Sequence, residues 1–407
     1  MNQQSSKERM NSFITDKIFL GMSFGKYIKS LFTPFNIAAG IMLLIALPIV
    51  FLRYTKGIGS ISGVSNDTPW GSLIGFNVLS GGTLSAGGYT ITSAVYLFGM
   101  KKYYPLVRAA ILSGFLGYFF VVIALLFDIG RPWRLPYPII YSFGVTSIMF
   151  LVAWQVALYF STQFVEFSPA IFEWLNIKKL RDWIEKLMIG ATIFGLILST
   201  LHQSALGGLF LLAPNKLHPL WYSSFITVFF FISSIAAGIS MVIFISGLAI
   251  KFFKNRIGNQ FKQNITELTA GLAKAASIVL FTYFGLKIIG IAHGNNWNLL
   301  NTTYGYWFLV EIIIFVLLPC FLFAIGFRNK SVGLIRFTSF WTIIGIIINR
   351  LNVSIIAFNW RLSERSFPDW KDIVVSLSII LVAVLTFRWI VNRMPVLDEH
   401  PDYKHIQ

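Results

Sequence analysis

The sequence predicts an all-α integral membrane protein with about ten transmembrane helices. Of its 407 residues, 56% are hydrophobic and only 12% are charged, which is about half the charged fraction of an ordinary soluble domain. Apolar runs of the roughly 20 residues that a helix needs to cross the hydrocarbon core recur along the whole chain. The alternating pattern of a membrane β-barrel is not seen, so helices must satisfy the backbone hydrogen bonds in lipid.

The apolar runs divide the chain into an amphipathic N-terminal arm (1–34), a membrane domain (35–393) and a C-terminal tail (394–407). The arm mixes charged and aromatic residues without a small-residue cleavage site, which favours a lead-in over a signal peptide. Two connections, 168–186 and 251–268, mix aromatic and basic residues as interfacial helices do. The ten predicted spans lie near residues 35–53, 71–99, 104–127, 145–165, 187–213, 222–250, 269–293, 306–327, 333–357 and 373–393.

The basic residues predict the orientation of these spans. An even number of spans places both termini on the same side of the membrane. Of the 33 Lys and Arg residues, 22 fall in the arm, the tail and the connections on that side, whereas 8 fall on the opposite side and 3 within spans. Because Lys and Arg concentrate in cytoplasmic connections, both termini are predicted to be cytoplasmic. The net charge of +17 is thus explained by topology, with no nucleic-acid partner.

Polar residues cluster at the outer ends of the second to fifth spans, over about residues 69–213. The stretch FDIGRPWRLPYP ends the third span and places Asp128, Arg131 and Arg134 among three prolines. An Asp–Arg pair and prolines can end a helix and turn the chain, and Trp is common at membrane interfaces. One interpretation is therefore a capped turn, and the other is a ligand-binding group beneath the outer surface.

His202 lies about eleven residues inside the fifth span, or ~16 Å along the helix axis. With Gln203 it either binds a neighbouring helix or exchanges protons with a bound redox ligand, since ionisable groups within membranes are usually functional. Tyr118 lies about 15 Å inward of Asp128 and offers a phenolic hydrogen bond. Glycines in the second and fifth spans favour close packing. We therefore expect one pocket for a flat, apolar, two-carbonyl ligand.

Four further charged residues lie on or within the spans. Arg108 and Glu166 are placed at the inner ends of the third and fourth spans, where snorkelling anchors are the usual interpretation. Glu311 and Arg350 lie deeper, in the eighth and ninth spans. They are predicted either to neutralise one another across the bundle or to take part in a proton path.

The sequence argues against a metal or haem centre within the chain. Cys320 is the only cysteine and lies in an apolar run, which excludes disulfides, thiolate-ligated zinc and an internal iron–sulfur cluster. Of the five histidines, only His202 is firmly within a span, whereas two b-type haems need four buried ligands. Electrons would therefore have to come from another subunit.

Seven motifs occur in a recognisable order: PWGSLIGF, SAGGYTITSAVYLF, YYPLVRAA, DIGRPW, EFSPAIFE, TLHQSALGGLF and KLHPLW. In this order they resemble the NrfD/PsrC-type, polysulfide reductase-like membrane subunits, and most of all the HybB-like chains that anchor periplasm-facing nickel–iron hydrogenases. The resemblance covers about residues 60–250, with a weaker echo in NRLNVSIIAFN.

The resemblance implies a haem-free, quinone-reactive subunit of the bacterial cytoplasmic (inner) membrane, used in anaerobic respiration. It would exchange electrons with menaquinone or ubiquinone on one hand and with an iron–sulfur, ferredoxin-like subunit on the other. That subunit would in turn serve a hydrogenase or a multihaem cytochrome on the outer face. His202 and Asp128 would be proton partners, Tyr118 would bond a carbonyl, and Arg131 would orient Asp128. The residues that match the family motifs are Arg108, Tyr118, Asp128, Arg131, Glu166 and His202.

Three positions depart from the HybB-like pattern. Leu151 and Ile245 stand where those chains often carry Glu, and Ala205 replaces the second Ser of HQSS. The two missing acids argue against a proton path across the membrane in this subunit.

The sequence leaves open two functions from other classes of protein. A secondary transporter would use broken helices and midplane charges such as Glu311 and Arg350, and it should be active alone. A b-type cytochrome would use His202 as a haem ligand, and the visible spectrum of the pure subunit would reveal the haem.

Overall fold

The computed structural model describes residues 11–65, 71, 73–362 and 368–397. Nine continuous helices in this part of the chain are long and apolar enough to cross a membrane, and an interrupted helix supplies a tenth span. The prediction of an all-α membrane protein with about ten spans is therefore confirmed. In chain order the spans are α1 (Pro34–Lys56), α2 (73–97, in four pieces), α3 (Tyr104–Asp128), α4 (Ile148–Trp174), α5 (Met188–Gly208), α6 (Ile226–Phe252), α7 (Asn259–His293), α8 (Thr303–Arg328), α9 (Val332–Ile356) and α10 (Trp370–Val391).

Hydroxyl and carboxyl side chains start several of these helices. Thr33 accepts a hydrogen bond from the backbone N–H of Asn36 at the start of α1, and Pro34 occupies the first turn, where its missing N–H costs nothing. Ser147, Thr302 and Asp369 accept equivalent bonds at the starts of α4, α8 and α10. The spans thus begin where short polar residues meet the apolar runs.

The second span is broken at Ser85 and Ala86. Two α-helical pieces, Gly81–Leu84 and Gly87–Thr92, flank the break, and π-helical pieces, Leu73–Ser80 and Ser93–Leu97, lie beyond them. This irregular backbone is buried between α3 and α6, which is the kind of place where non-helical backbone is tolerated in a membrane.

The glycines around the break allow three backbones to approach closely. A Cβ atom on Gly238 of α6 would lie 2.7 Å from backbone atoms of Ala86 and Gly87, and one on Gly117 of α3 would overlap the Ser85 side chain. Small residues at helix interfaces permit this approach. The sequence predicted the close packing but not the break that it surrounds.

The two predicted surface segments have different outcomes. Lys178–Glu185 forms a short helix between α4 and α5, and Phe24–Leu31 forms another before α1. The prediction of a separate surface helix over 251–268 is wrong, because the segment holds one 3₁₀ turn (Lys254–Arg256) and then the first turns of α7, which runs for 35 residues. The polar residues of that stretch extend a membrane helix beyond the apolar region.

The helix α6 lies at the centre of the bundle and packs against α2, α5, α7 and α9. In its most apolar window 61% of residues are buried, compared with 17% in α1 and 28% in α10. The helix α10 packs against α1 and α3. The helices α1 and α10 therefore form a peripheral layer, whereas the interrupted α2 lies inside.

Candidate functional site

A cluster of buried polar side chains surrounds the interrupted helix α2. The amide nitrogen of Gln203, on α5, donates hydrogen bonds of 3.0 Å to the backbone carbonyl of Gly82 and to the hydroxyl of Tyr118 on α3. The hydroxyl of Thr83, on α2, lies 3.3 Å from the amide oxygen of Gln203. Gln203, Tyr118 and Thr83 have no measurable exposure. One amide thus connects α2, α3 and α5.

His202 is placed beside this amide and is 1% exposed. Its ring meets the edge of the Tyr118 ring with centroids 5.5 Å apart, and its Nε2 faces the α2 backbone at Gly82. Its Nδ1 is buried, and no described residue forms a hydrogen bond with it. Because buried polar atoms nearly always have a partner, this nitrogen marks a place where a ligand or water would bond.

Arg350 joins a second group of helices to the cluster. From α9, its guanidinium donates to the hydroxyl of Thr83 at 3.2 Å, to the hydroxyl of Ser233 at 2.7 Å and to the amide oxygen of Asn349 at 2.7 Å. The guanidinium carbon also lies 3.8 Å from the centre of the Phe230 ring. Arg350 has no measurable exposure, so its charge is held by hydrogen bonds inside the bundle.

Glu311, on α8, is bound by three side-chain donors. Its Oε1 accepts a bond of 2.6 Å from Asn349, and its Oε2 accepts bonds from Trp221, at 2.8 Å, and from Asn352. Among the described residues, Glu311 and Arg350 form no direct ion pair, and Asn349 bridges them instead. Of the two interpretations that the sequence left open, mutual neutralisation or a proton path, the first takes the form of a bridge through the Asn349 amide, which the sequence did not predict.

Lys287 adds a second buried cation near Glu311. It is 4% exposed, and its ammonium lies 5.2–5.7 Å from the ring centres of Phe229, Tyr283 and Phe308. Its position within an apolar span was visible in the sequence. Thr83 gave no such signal, because a Thr in a helix normally bonds its own backbone.

Asp128 lies away from His202, at the end of α3. The guanidinium of Arg53, from α1, donates to the backbone carbonyls of Phe127 and Ile129 at 2.5 and 2.6 Å and so caps the helix. Asp128 interacts electrostatically with Arg53 and with the buried Asp372 of α10. Within the described part of the chain no ion pair joins Asp128 to the exposed Arg131. Arg53, and not Arg131, therefore holds this turn.

On the side of the chain termini, Arg108 and Glu166 line a cavity of about 50 Å³. Arg108 forms an ion pair of 2.7 Å with Glu173, and Glu166 accepts a bond of 3.2 Å from the hydroxyl of Thr192. Arg108 and Glu166 line the same cavity, but none of the described ion pairs joins them to each other. Both residues therefore have polar partners within the bundle, which the predicted role of a snorkelling anchor does not require.

Buried polar side chains continue from Glu166 along α4 towards Tyr118. The amide of Gln163 donates to the hydroxyl of Tyr159 at 3.0 Å, and the centre of the Tyr159 ring lies 4.8 Å from that of the Tyr118 ring.

At the start of the PWGSLIGF motif, Pro69, Trp70 and Ser72 lie outside the described residues.

The chain is similar to known membrane proteins over most of its length. The family model described as polysulphide reductase, NrfD matches residues 60–359. A protein of Nitratidesulfovibrio vulgaris is 52% identical over 92% of this chain and 97% of its own length. The probable Ni/Fe-hydrogenase 2 b-type cytochrome subunit of Escherichia coli is 28% identical over 88% and 91%, and the menaquinone reductase integral membrane subunit of N. vulgaris is 23% identical over 85% and 87%. The chain belongs to the NrfD family.

Proposed function

We propose that this chain is the quinone-reactive membrane subunit of a respiratory oxidoreductase complex. The names of two relatives, a hydrogenase subunit and a menaquinone reductase subunit, support this function. The observation that carries the proposal is the Nδ1 of His202, which has no hydrogen-bond partner among the described residues and is buried between Tyr118 and the interrupted helix α2. Menaquinone or ubiquinone is the substrate, and the electrons pass to or from a partner subunit.

His202 and Tyr118 bind the quinone carbonyl and exchange its protons. The hydroxyl of Tyr118 accepts from Gln203, so its own proton is available for donation. An imidazole titrates close to neutral pH in water and can both give and accept a proton. Affinity comes mainly from apolar burial, while these few polar groups orient the ring.

Asp128 and Arg131 belong to the outer end of this proton route and do not contact the same carbonyl. Asp128 lies ten residues beyond Tyr118 on one continuous helix, which is a rise of ~15 Å. Asp128 is held near Arg53 and Asp372, so it is suited to exchange protons between the quinone pocket and the outer aqueous phase.

On the opposite side of the pocket, Glu166, Gln163 and Tyr159 form a polar series that leads to Tyr118, with Arg108 at its cytoplasmic end. We assign any proton supply from the cytoplasm to this series. Glu311 and Arg350 act as fixed counter-charges, since Glu311 accepts hydrogen bonds from several side chains and Arg350 donates to several others.

We also propose that the chain holds no haem. Two described histidines other than His202 are poorly placed as axial ligands. The Nδ1 of His218 accepts from the backbone N–H of Leu220 and its ring stacks on Tyr304, and His293 is exposed at the end of α7. His400 and His405 lie outside the described residues.

Without haem or an iron–sulfur cluster of its own, the chain needs a redox partner. An iron–sulfur, ferredoxin-like subunit with a hydrogenase or multihaem catalytic subunit on the periplasmic side fits this need. The complex lies in the inner membrane with both chain termini in the cytoplasm.

Isolation of the native complex tests the function. The chain should co-purify with a redox partner and bound quinone, and the complex should reduce or oxidise a soluble naphthoquinone analogue. Vesicles that contain the chain alone should show neither quinone turnover nor solute uptake. Solute uptake by the chain alone would favour the secondary transporter, for which the buried Glu311 and Arg350 are the supporting feature.

A further inference from the structure

A large apolar cavity lies on the other side of α2 from His202. Its volume is about 950 Å³, at the upper end of the range for small-molecule sites. Helices α1, α2, α3, α6, α9 and α10 contribute to its wall. On α10 the lining extends from Ile379 to Asn392, a rise of ~20 Å. This is longer than the ~15 Å of one leaflet of the hydrocarbon core.

The cavity opens sideways towards the lipid. Four of its lining side chains, Phe35, Leu248, Phe252 and Val384, are 39–68% exposed on the outside of the bundle. They come from α1, α6 and α10, two of which are the least buried helices of the fold. A hydrocarbon chain can therefore enter from the bilayer without unfolding any element.

The lining lacks the groups that quinone chemistry needs. Among the described residues that line the cavity there is no His, Asp, Glu, Tyr, Lys or Cys. A quinone that accepts two electrons also takes up two protons, so its headgroup needs a titratable neighbour. The cavity is thus suited to hold a chain and not to react with a headgroup.

The one ionisable side chain in the described lining is Arg388, near the end of α10 on the side of the N-terminal arm. Its Nη1 donates to Asn36 at 3.0 Å, and its guanidinium lies 4.9 Å from the centre of the Phe35 ring. These contacts fix the group at the mouth beside Thr33 and Asn392. A guanidinium has five N–H donors and a permanent charge, so it matches a permanently charged, oxygen-rich anion.

Further basic residues lie close in the chain to residues at this end of the cavity or on the helix tied to it. Lys251 lies two residues after the lining residue Ala249 on α6, and its ammonium lies 5.5 Å from the centre of the Phe252 ring. Arg393 directly follows the lining residue Asn392. Lys26 and Lys29 lie on the amphipathic helix Phe24–Leu31, which Arg393 ties to α10 through the hydroxyl of Tyr27. Basic pockets between membrane helices on the cytoplasmic side bind anionic lipid headgroups.

We propose that this cavity is a binding site for one anionic phospholipid, of which an acyl chain fills the space between α1, α6 and α10 and the phosphate pairs with Arg388. The site is separate from the buried cluster around His202 and does not depend on the proposed redox function. The lipid holds the peripheral helices α1 and α10 against the core and supports the wall formed by the interrupted α2.

Native mass spectrometry of the detergent-purified complex tests the site. Delipidated complex is incubated with dipalmitoyl phosphatidylglycerol or with dipalmitoyl phosphatidylcholine, which have the same acyl chains and different headgroup charge. The wild type should retain one phosphatidylglycerol per chain in preference to phosphatidylcholine. Arg388→Gln should lower that preference about fivefold or more, in line with the contribution of one cation near an anionic lipid.

Two variants separate specific binding from a folding defect. Ala383→Trp fills the cavity and leaves Arg388 in place, so it should abolish retention of the lipid. Arg256→Gln removes an exposed charge outside the lining and should bind as the wild type does. Equal retention of the two lipids, unchanged preference in Arg388→Gln, or the loss of a bound quinone but not of phosphatidylglycerol in Ala383→Trp would overturn the proposal.

Discussion

At the scale of single residues, Gln203 organises the site with one amide group. Its nitrogen donates to Gly82 and Tyr118 and its oxygen lies near the hydroxyl of Thr83. The neighbouring His202 keeps one nitrogen without a partner among the described residues. Gln203, whose amide is hydrogen-bonded, thus positions the groups around His202, whose Nδ1 has no such bond among the described residues. That nitrogen is the physical basis for assigning proton exchange to His202.

Replacement of His202 by Ala should stop quinone-linked turnover and leave the complex assembled. Removal of a general acid or base typically costs about 10²–10⁴-fold in rate, whereas reduction of an artificial dye at the partner subunit should persist. Ser204→Ala, at a half-buried position two residues along, is the matched control. Normal quinone turnover in His202→Ala would show that this histidine is structural.

Glu311 is the buried anion that balances Arg350 and Lys287. Glu311→Gln would leave the buried cations Arg350 and Lys287 without this anion, and an uncompensated buried charge costs about 3–5 kcal/mol. We expect a clearly lower thermal unfolding temperature for the purified complex. Glu267→Gln, at an exposed position on α7, should leave it unchanged. Unchanged stability together with lost quinone turnover would instead make Glu311 a member of a proton path.

At the scale of elements, the interrupted helix α2 brings the site and the apolar cavity next to each other. Gly82 faces His202, whereas Gly81 lines the cavity, so two successive residues face the site and the cavity. The sequence predicted close packing here because glycines permit it. It could not predict the break, because the backbones of α3 and α6 that pack against it are distant in sequence.

Gly238→Ala should disturb this arrangement, since its Cβ would lie 2.7 Å from the backbone of the break. Backbone atoms cannot move aside cheaply, and such overpacking costs about 1–3 kcal/mol. We expect a lower unfolding temperature and a raised KM for quinone. Gly285→Ala is the control, because a Cβ added there would meet no atom within 4 Å outside its own stretch of helix. If the two variants behave alike, the break does not depend on this contact.

At the scale of the whole molecule, the number and order of the spans followed from apolar length alone, because the thickness of the bilayer fixes what a helix must cover. The helical rise also placed Tyr118 and His202 at one depth, and they are in contact. The contacts of Arg350 with Thr83 and Ser233 join residues more than 100 positions apart. Nothing in one sequence pairs particular spans, so Arg350 could be singled out as a buried charge but its partners could not be predicted.

The proposed absence of haem concerns the whole chain and can be tested directly. The purified subunit, separated from its partners, should show no strong visible absorption in either the oxidised or the dithionite-reduced form. A Soret band that disappears in His202→Ala would assign that histidine to a haem and remove the account of it as a quinone ligand.

The orientation of the bundle depends on the excess of basic residues on the side of the termini. A reporter that is active only outside the cytoplasm should be inactive when fused after the tail and active when inserted between α5 and α6. Lys101→Gln combined with Lys102→Gln weakens the excess, so it should lower the yield or the correctly oriented fraction of the protein. The molecules that insert correctly should keep the normal KM for quinone, because both lysines are exposed at the end of the bundle opposite Asp128. A selective loss of quinone affinity in this variant would place the quinone site on the side of the termini.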